Sequence, residues 1–419
     1  MDVERAILSQ ADRTADQAVA FLTRLVRIES ITGQEGPIQD EVVRVLEEMG
    51  LELDVWEPDP EELKGHPLAA PVKSDFKDRP IVVGRWPGRG RGRSLLLNGH
   101  VDVVQPGSGW RHDPFGGEIE AGRLYGRGAS DMKGGVAAMV MALRVLKDLN
   151  LNPKADILVQ TVVDEENGIN GSLAGLLRGH TAEACLNCEA SDLEVQPAHS
   201  GIMEYFLHVY GQPTPISRKD DSISPIEKGF RLVQAMTDLE SSLRVTHHHP
   251  LFPPRSMNIY VTSFHAGLQT TVLPDEAVIG GMVRLLPGME AEETRRLVEE
   301  YVANVAALDP FLRQRPPRFR WQGLFAESMQ VPEGHPWVEC LKASFLAATG
   351  RPARISGHEG ACDPWIINNH GRIPTVIFGP GRITQMHAVD EYVELQDLIT
   401  AIKTMALAIH QWSFVEGAA

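Results

Sequence analysis

Positive charge is in short supply. The 419 residues carry 40 Lys and Arg against 56 Asp and Glu, a formal net charge of −16. That balance excludes the basic surface that nucleic acid or an anionic membrane demands, so neither is expected as a partner. Cysteine is scarce as well: four residues do not make a disulfide framework in a chain of this length. No apolar run approaches the roughly 18 residues of a membrane span. The opening MDVERAILSQADRTADQ has no basic start followed by an apolar core, so no signal peptide is expected and the cytoplasm is the expected location. What remains is a globular composition, 43% hydrophobic and 23% charged, long enough to predict two domains.

The most informative stretch is 95–131. It opens LLLNGHVDVV, an apolar run that reads as a buried strand with His100 and Asp102 at its end. It closes GRGASDMKGG, a glycine-rich loop holding Asp131 just before the helical pattern MKGGVAAMVMALRVLKDL. The same style surrounds it. Ala18, Phe21, Leu22 and Leu25 mark one helix, and Ile38, Val42, Val45, Leu46 and Met49 a second that stops at Gly50. LELDVWEP, IVVGRW, ADILVQTVV and ACLNCEAS read as strands, 57–80 as a long polar loop, and a helix is expected to start near Ser172. Strands alternating with helices predict a mostly parallel sheet with helices on both faces.

From about residue 201 the style changes. MEYFLHVYG alternates as a half-exposed strand. An amphipathic helix follows, with Ile226, Phe230, Val233 and Met236 read as one face. Two further strands, SMNIYVTSF and EAVIGGMVRLL, and a second helix complete a β-α-β-β-α order, that of a small α+β domain. The α/β style returns near Arg318. The predicted organisation is therefore a discontinuous catalytic domain, 1–201 and 318–419, with the small domain 202–317 inserted.

Acids and imidazoles collect at the predicted strand ends: His100, Asp102, Asp131, Glu165, Glu166, Glu189 and, far along the chain, His387. Parallel strands bring such ends to one edge of a sheet, where ligands bind in open α/β folds. Adjacent glutamates directly after a core strand repel one another unless a cation sits there. Imidazole with carboxylates is a donor set for zinc and similar divalent ions. One at a time, each of these residues reads more simply as a solvated or incidental side chain; their joint placement is the signal.

GHVDVV, GRGASDMKGG, VVDEENGINGS, NCEAS and MHAVDEYV together resemble the M20 metallopeptidase and deacylase family, whose members include acetylornithine deacetylase, succinyl-diaminopimelate desuccinylase, aminoacylase-1 and enzymes of the carboxypeptidase G2 type. ACDPWIINNHGRIPTVIFGPG is similar to the deacetylase branch. The resemblance implies two divalent ions, zinc first, with cobalt or manganese also compatible with the donors. It implies Asp131 as the carboxylate shared by both ions, His100 and Glu189 as ligands of one, and Glu166 and His387 as ligands of the other. Asp102 would orient His100, and Glu165 would be the general base. The inserted domain would be a lid and a homodimerisation surface. The expected activity is metal-assisted hydrolysis of a C–N bond: deacylation of a small N-acyl amino acid or related amide, with dipeptidase or carboxypeptidase activity as variants. A ligand-binding paralogue without catalysis is the contrasting class, and it has no need of Glu165.

The sequence departs from the family in the lid. Where relatives place a histidine that reaches the partner's active site, GQPTPIS carries Pro215, which has no side-chain donor. Loss of one oxyanion donor commonly costs about 10²- to 10³-fold in rate. Another group replaces it (His199, His208 or His247 to His249 are candidates), or the chemistry has moved towards hydrolytic deamination of an activated aromatic amine, or the enzyme is weak. The run at 247–249 reads better as a solvated loop. Asn258 and Arg284 match lid residues that hold a substrate carboxylate or oxyanion in relatives; for Arg284 a surface ion pair is an equal reading. Gly360, in GACD, matches a substrate loop. Cys185 and Cys188 read as core cysteines, since no second pair completes a zinc knuckle. His112 and His358 lie near the motifs without a diagnostic spacing.

Overall fold

The computed structural model describes residues 3–70 and 75–416. They form two compact units. The larger comprises Met1–Ala198, Gln330–His358 and Cys362–Ala419; the smaller comprises His199–Met329 and Glu359–Ala361.

The larger unit is built on one sheet. Its strands run in the order Glu52–Trp56, Ile81–Trp86, Ile157–Val162, Leu95–His100, Ala184–Asn187, Thr375–Ile377 and Val195–His199. The four strands from Ile157–Val162 to Thr375–Ile377 are parallel. The strands flanking them are antiparallel. Every residue of Leu95–His100 and Ile157–Val162 is buried, which requires cover on both faces. On one face Gly99 lies against Met132 and Val136, at the start of the helix Lys133–Asp148. The neighbouring Asn98 points to the other face, where its amide donates to Ser172 of the helix Asn170–Leu177. Val3–Arg27 and Leu395–Ser413 pack on Lys133–Asp148 and on each other.

Gly135 explains how closely that helix approaches the sheet. A Cβ there would lie 1.8 Å from the carbonyl oxygen of Cys188, so only glycine lets the helix start come down beside the chain leading to Glu189. The polar segment 57–80 contains a short helix, Pro60–Lys64, rather than loop alone; its residues 71–74 lie outside the described residues. The acids after Ile157–Val162 form a helical turn of their own, Glu165–Gly168, and the next helix begins at Asn170, two residues before the expected start.

The smaller unit holds a four-stranded antiparallel sheet in the order Ile259–Ala266, Glu276–Leu285, Gly201–Tyr210, Arg318–Ala326. Arg318–Ala326 therefore belongs to this unit and not to the returning catalytic segment, which resumes at Gln330. Alternating exposure along Arg318–Ala326 marks a strand with one covered face, a pattern the α/β reading did not separate from its neighbours. Pro225–Thr246 packs on this sheet and on the helix Ala291–Ala306. Its buried face is Gly229, Leu232, Ala235, Met236, Leu239 and Leu243. Phe230 lies outside that face, 64% exposed, and stacks on Phe264 at 5.3 Å. The small residues Gly229 and Ala235 set the contact, which a search for large apolar side chains misplaces by about one residue. Among the described residues no helix is long and apolar enough to cross a membrane.

Candidate metal centre

The parallel strands deliver their ends to one place. His100 is the last residue of Leu95–His100. Glu165 and Glu166 follow Ile157–Val162 after Asp164, whose φ of 67° turns the chain sharply. Glu189 follows Ala184–Asn187 by two residues. Asp131 ends the glycine-rich loop before Lys133–Asp148, and His387 sits in a turn with φ 59°. A non-glycine residue in the left-handed region is uncommon and held by its surroundings.

Asp131 stands between two imidazoles. Its Oδ1 is 3.2 Å from His100 Nε2, and its Oδ2 is 3.2 Å from His387 Nε2. Glu189 Oε2 lies 3.4 Å from His100 Nε2, and Glu166 Oε2 lies 3.0 Å from His387 Nε2. Ligand atoms of His100, Asp131 and Glu166 all fall within 4.8 Å of one another. Glu165 Oε2 stays further off, 3.9 Å from His100 Nε2. His387 is the open side of the cluster, its side chain 55% exposed against 1% for His100.

Four carboxylates in so small a space repel. Burial, reinforced by Asp363, Glu166 and Glu189 and opposed by His100, holds Glu165 well above the usual carboxylate range. Burial and Asp131 push Glu166 up to about 7. Burial also raises Glu189. Asp131 goes the other way: burial works against its charge, but the two imidazoles outweigh it. His387, bonded to Asp131 and Glu166, rises to about 10. The cluster thus calls for positive charge, and in its absence takes protons onto its imidazoles and glutamates.

The donors fit divalent metal. His100 Nδ1 is 3.0 Å from the main-chain oxygen of Asp102, which fixes that nitrogen as donor and leaves Nε2 as a lone-pair ligand. The orienting contact is this carbonyl; the Asp102 carboxylate is 3.6 Å away, beyond a hydrogen bond. That carboxylate serves the neighbouring turn instead. It accepts the N–H groups of Glu165 and Glu166 at 3.2 and 3.1 Å and the Thr32 hydroxyl at 2.9 Å. Behind it, Arg79 pairs with buried Glu35 through both Nε and Nη2 and reaches Asp164 at 3.5 Å.

Residues 96–411 match the peptidase family M20/M25/M40. The chain belongs to that family. Among curated relatives, the N-formyl-4-amino-5-aminomethyl-2-methylpyrimidine deformylase of Halalkalibacterium halodurans is 28% identical over 98% of this chain and 98% of its own. The succinyl-diaminopimelate desuccinylase of Cereibacter sphaeroides is 28% identical over 93% of this chain and 97% of its own. The solved YXEP protein of Bacillus subtilis, described as a dinuclear metal-binding peptidase of family M20, shares the fold with a TM-score of 0.66 at 16% identity, covering 96% of this chain and 100% of that one. This M20 chain is accordingly a metal-dependent hydrolase of C–N bonds.

The expected site residues of the M20 chain fall in both units. Asn258, Arg284 and Gly360 belong to the smaller unit. Asn258 is fully engaged there: its oxygen accepts from Arg244, and its amide donates to Ser256 O and Tyr260 Oη, each at 3.0 Å. Arg284 pairs with Glu359 at 3.2 Å and meets Ser256 O at 3.4 Å. Pro215 lies in a two-residue strand paired with Val272–Leu273. Of the candidate replacements, His208 is tied to Glu276 at 2.8 Å, His199 is buried, and His247 caps the end of Pro225–Thr246. Cys185 and Cys188 are buried free thiols. His112 stacks on Tyr125 at 3.9 Å and pairs with Glu118 at 3.1 Å, and His358 meets Gln196 at 2.9 Å. Sequence reasoning passed over Glu391, which lies within the quoted motif MHAVDEYV and is wholly buried; its signal was an acid placed four residues after His387.

Proposed function

We propose that this chain removes a formyl or other short acyl group from the nitrogen of a small amine that lacks a carboxylate, using two divalent ions, zinc in the first instance. The observation that carries the reading is the position of Asp131, with one oxygen facing each imidazole. His100 and Glu189 would hold one ion, His387 and Glu166 the other, and Asp131 both. Bound there, the ions supply Lewis acidity to the scissile carbonyl and acidify a water.

The remaining work falls to the chain. Glu165 is close to the cluster but set back from its centre, as a base rather than a ligand requires. It takes a proton from the attacking water at its carboxylate and returns it to the leaving nitrogen as the C–N bond breaks. Burial keeps Glu165 avid for that proton. Asp102 holds the turn that carries Glu165 and Glu166 through their N–H groups.

The substrate class rests on two supports. The Halalkalibacterium relative is named for an N-formyl aminopyrimidine. In this chain Asn258, one of the two side chains that would greet a substrate carboxylate, is engaged by Arg244, Ser256 and Tyr260, and the charge of the other, Arg284, is met at Nη1 by Glu359. The smaller unit would act as lid and homodimer surface, through the sheet edge Ile259–Ala266, where Val261 is 37% exposed.

Mass spectrometry of a mixed panel tests the reading. Metal-loaded protein should deformylate N-formyl aminomethylpyrimidines in preference to N-formyl or N-succinyl amino acids. Glu165→Gln should keep its metal and lose about 10²- to 10⁴-fold in rate. Replacement of an aromatic amino group by hydroxyl, with formyl amides untouched, would convict the reading and point to deamination instead.

A further inference from the structure

Glu391 is buried, yet every lone-pair direction of its carboxylate is used. Oε2 accepts from Arg127 Nη1 at 2.6 Å and from the Gly128 N–H at 2.9 Å. Oε1 accepts from the N–H groups of Ser130 and Asp131 at 2.8 and 3.0 Å. Its main-chain oxygen takes the Gly126 N–H at 2.8 Å. A carboxylate offers about four acceptor positions, and here four donors occupy them. The loop 126–131 is thus wrapped around one buried carboxyl group.

Arg127 carries the connection to the other side of the cluster. Its Nη2 donates to the main-chain oxygen of His387 at 3.3 Å and meets that of Pro106 at 3.4 Å. Its guanidinium also lies 5.2 Å from the centre of the Trp110 ring. His387 holds a left-handed φ of 59°, a conformation that needs such outside support. One ion pair therefore grips the main chain of both Asp131 and His387, which approach each other at 3.2 Å. The bonds of Arg127 and Glu391 go to this frame and not to the ligand atoms of the cluster.

We infer that Arg127 and Glu391 are positioning residues: together they fix Asp131 against His387 before metal arrives, and so set the affinity for the ion that these two would share. The inference rests on the metal-centre reading above. Substitution of partners that hold metal ligands in place commonly weakens metal binding about 10- to 100-fold. Glu391→Gln keeps the shape but turns donor N–H towards a main-chain N–H. Arg127→Lys keeps the charge but loses the fork that spans Glu391 and His387.

The test is a competition titration of full-length apoprotein with cobalt(II) against a chromophoric chelator, together with the cobalt absorption spectrum. Leu22→Ala, a core truncation in the first helix, controls for general loss of stability. Expected: Arg127→Lys and Glu391→Gln fold, bind one of two ions about 10- to 100-fold more weakly and alter the spectrum, while Leu22→Ala binds both as wild type does. If Glu391→Gln fails to fold, Arg127→Lys decides. Wild-type affinity and spectrum in a folded Arg127→Lys would overturn the inference and leave the metal-centre reading standing. Failure of the wild type itself to bind cobalt would overturn both.

Discussion

At the scale of single residues the centre is a contest between protons and metal. His387 is raised to about 10 by Asp131 and Glu166, so the metal-free protein carries it protonated at neutral pH. A ligand imidazole must be neutral, so metal uptake has to expel that proton. Glu166, at about 7, gives up part of another. Both changes lose protons on binding, so apparent metal affinity should rise with pH across the neutral range and level off above about 10. Calorimetry in buffers of different ionisation enthalpy should show net proton release at pH 7; heats independent of buffer would contradict this. The acids and imidazoles themselves were legible in the sequence because His100, Glu165, Glu166 and Glu189 stand just after apolar runs whose parallel strands bring their ends together, and Asp131 stands in a glycine-rich loop beside one of them. Glu391 was not, since its partners are mostly main-chain amides that leave no side-chain pattern. The carboxylate of Asp102 was read as the partner of His100 for a related reason: a linear sequence does not reveal whether a side chain or its own carbonyl meets a neighbour.

At the scale of elements the approach of Lys133–Asp148 to the sheet is decisive. Gly135→Ala would drive a methyl into the Cys188 carbonyl. It should lower stability by about 1–3 kcal/mol, and it should also disturb the segment leading to Glu189; chemical denaturation with metal titration checks both. In the smaller unit Asp309 caps the helix Pro310–Gln314, accepting from Phe311 and Leu312, and pairs with Lys228 and Arg231. Burial works against its charge, but the Lys228 bond and the two N–H groups outweigh it and hold Asp309 below its usual range. A depressed carboxyl contributes stability above the unfolded value of about 3.9, and that contribution fades as pH falls through the lower folded value. Asp309→Ala should therefore cost about 1–2 kcal/mol at pH 7, and clearly less at pH 2.5, by denaturant melts. Helices and strands were readable from periodicity. The strand Arg318–Ala326 was assigned to the wrong unit because its pairing partner, Gly201–Tyr210, lies more than a hundred residues earlier, and no local pattern names a distant partner.

At the scale of the whole molecule, the two-unit division followed from the change of style near residue 201, while the function of the smaller unit did not. Its offered edge, Ile259–Ala266, has one side without a strand partner in the sheet order, and such edges invite pairing with another chain. If the proposed homodimer forms there, Val261→Lys should shift light-scattering mass from dimer to monomer at micromolar concentration, with the metal content of each chain unchanged; an unaltered mass would place any dimer elsewhere. Release of Arg284 tests the substrate class at the same scale. Glu359→Gln should raise kcat/KM for N-formyl amino acids relative to N-formyl aminomethylpyrimidines, and an unchanged ratio would remove Glu359 from substrate selection.

The central sheet has a further consequence for biosynthesis. Thr375–Ile377 lies between Ala184–Asn187 and Val195–His199, though the ribosome makes it only after the entire smaller unit. Until then the nascent chain holds an open slot, with two apolar strands lacking their common neighbour, at the stage when exposed edges are most prone to associate wrongly. His387 and Glu391 emerge later still. A stalled or truncated chain would therefore be both sticky and unable to retain metal, and such chains should burden the chaperones more than late point mutants of the finished protein do.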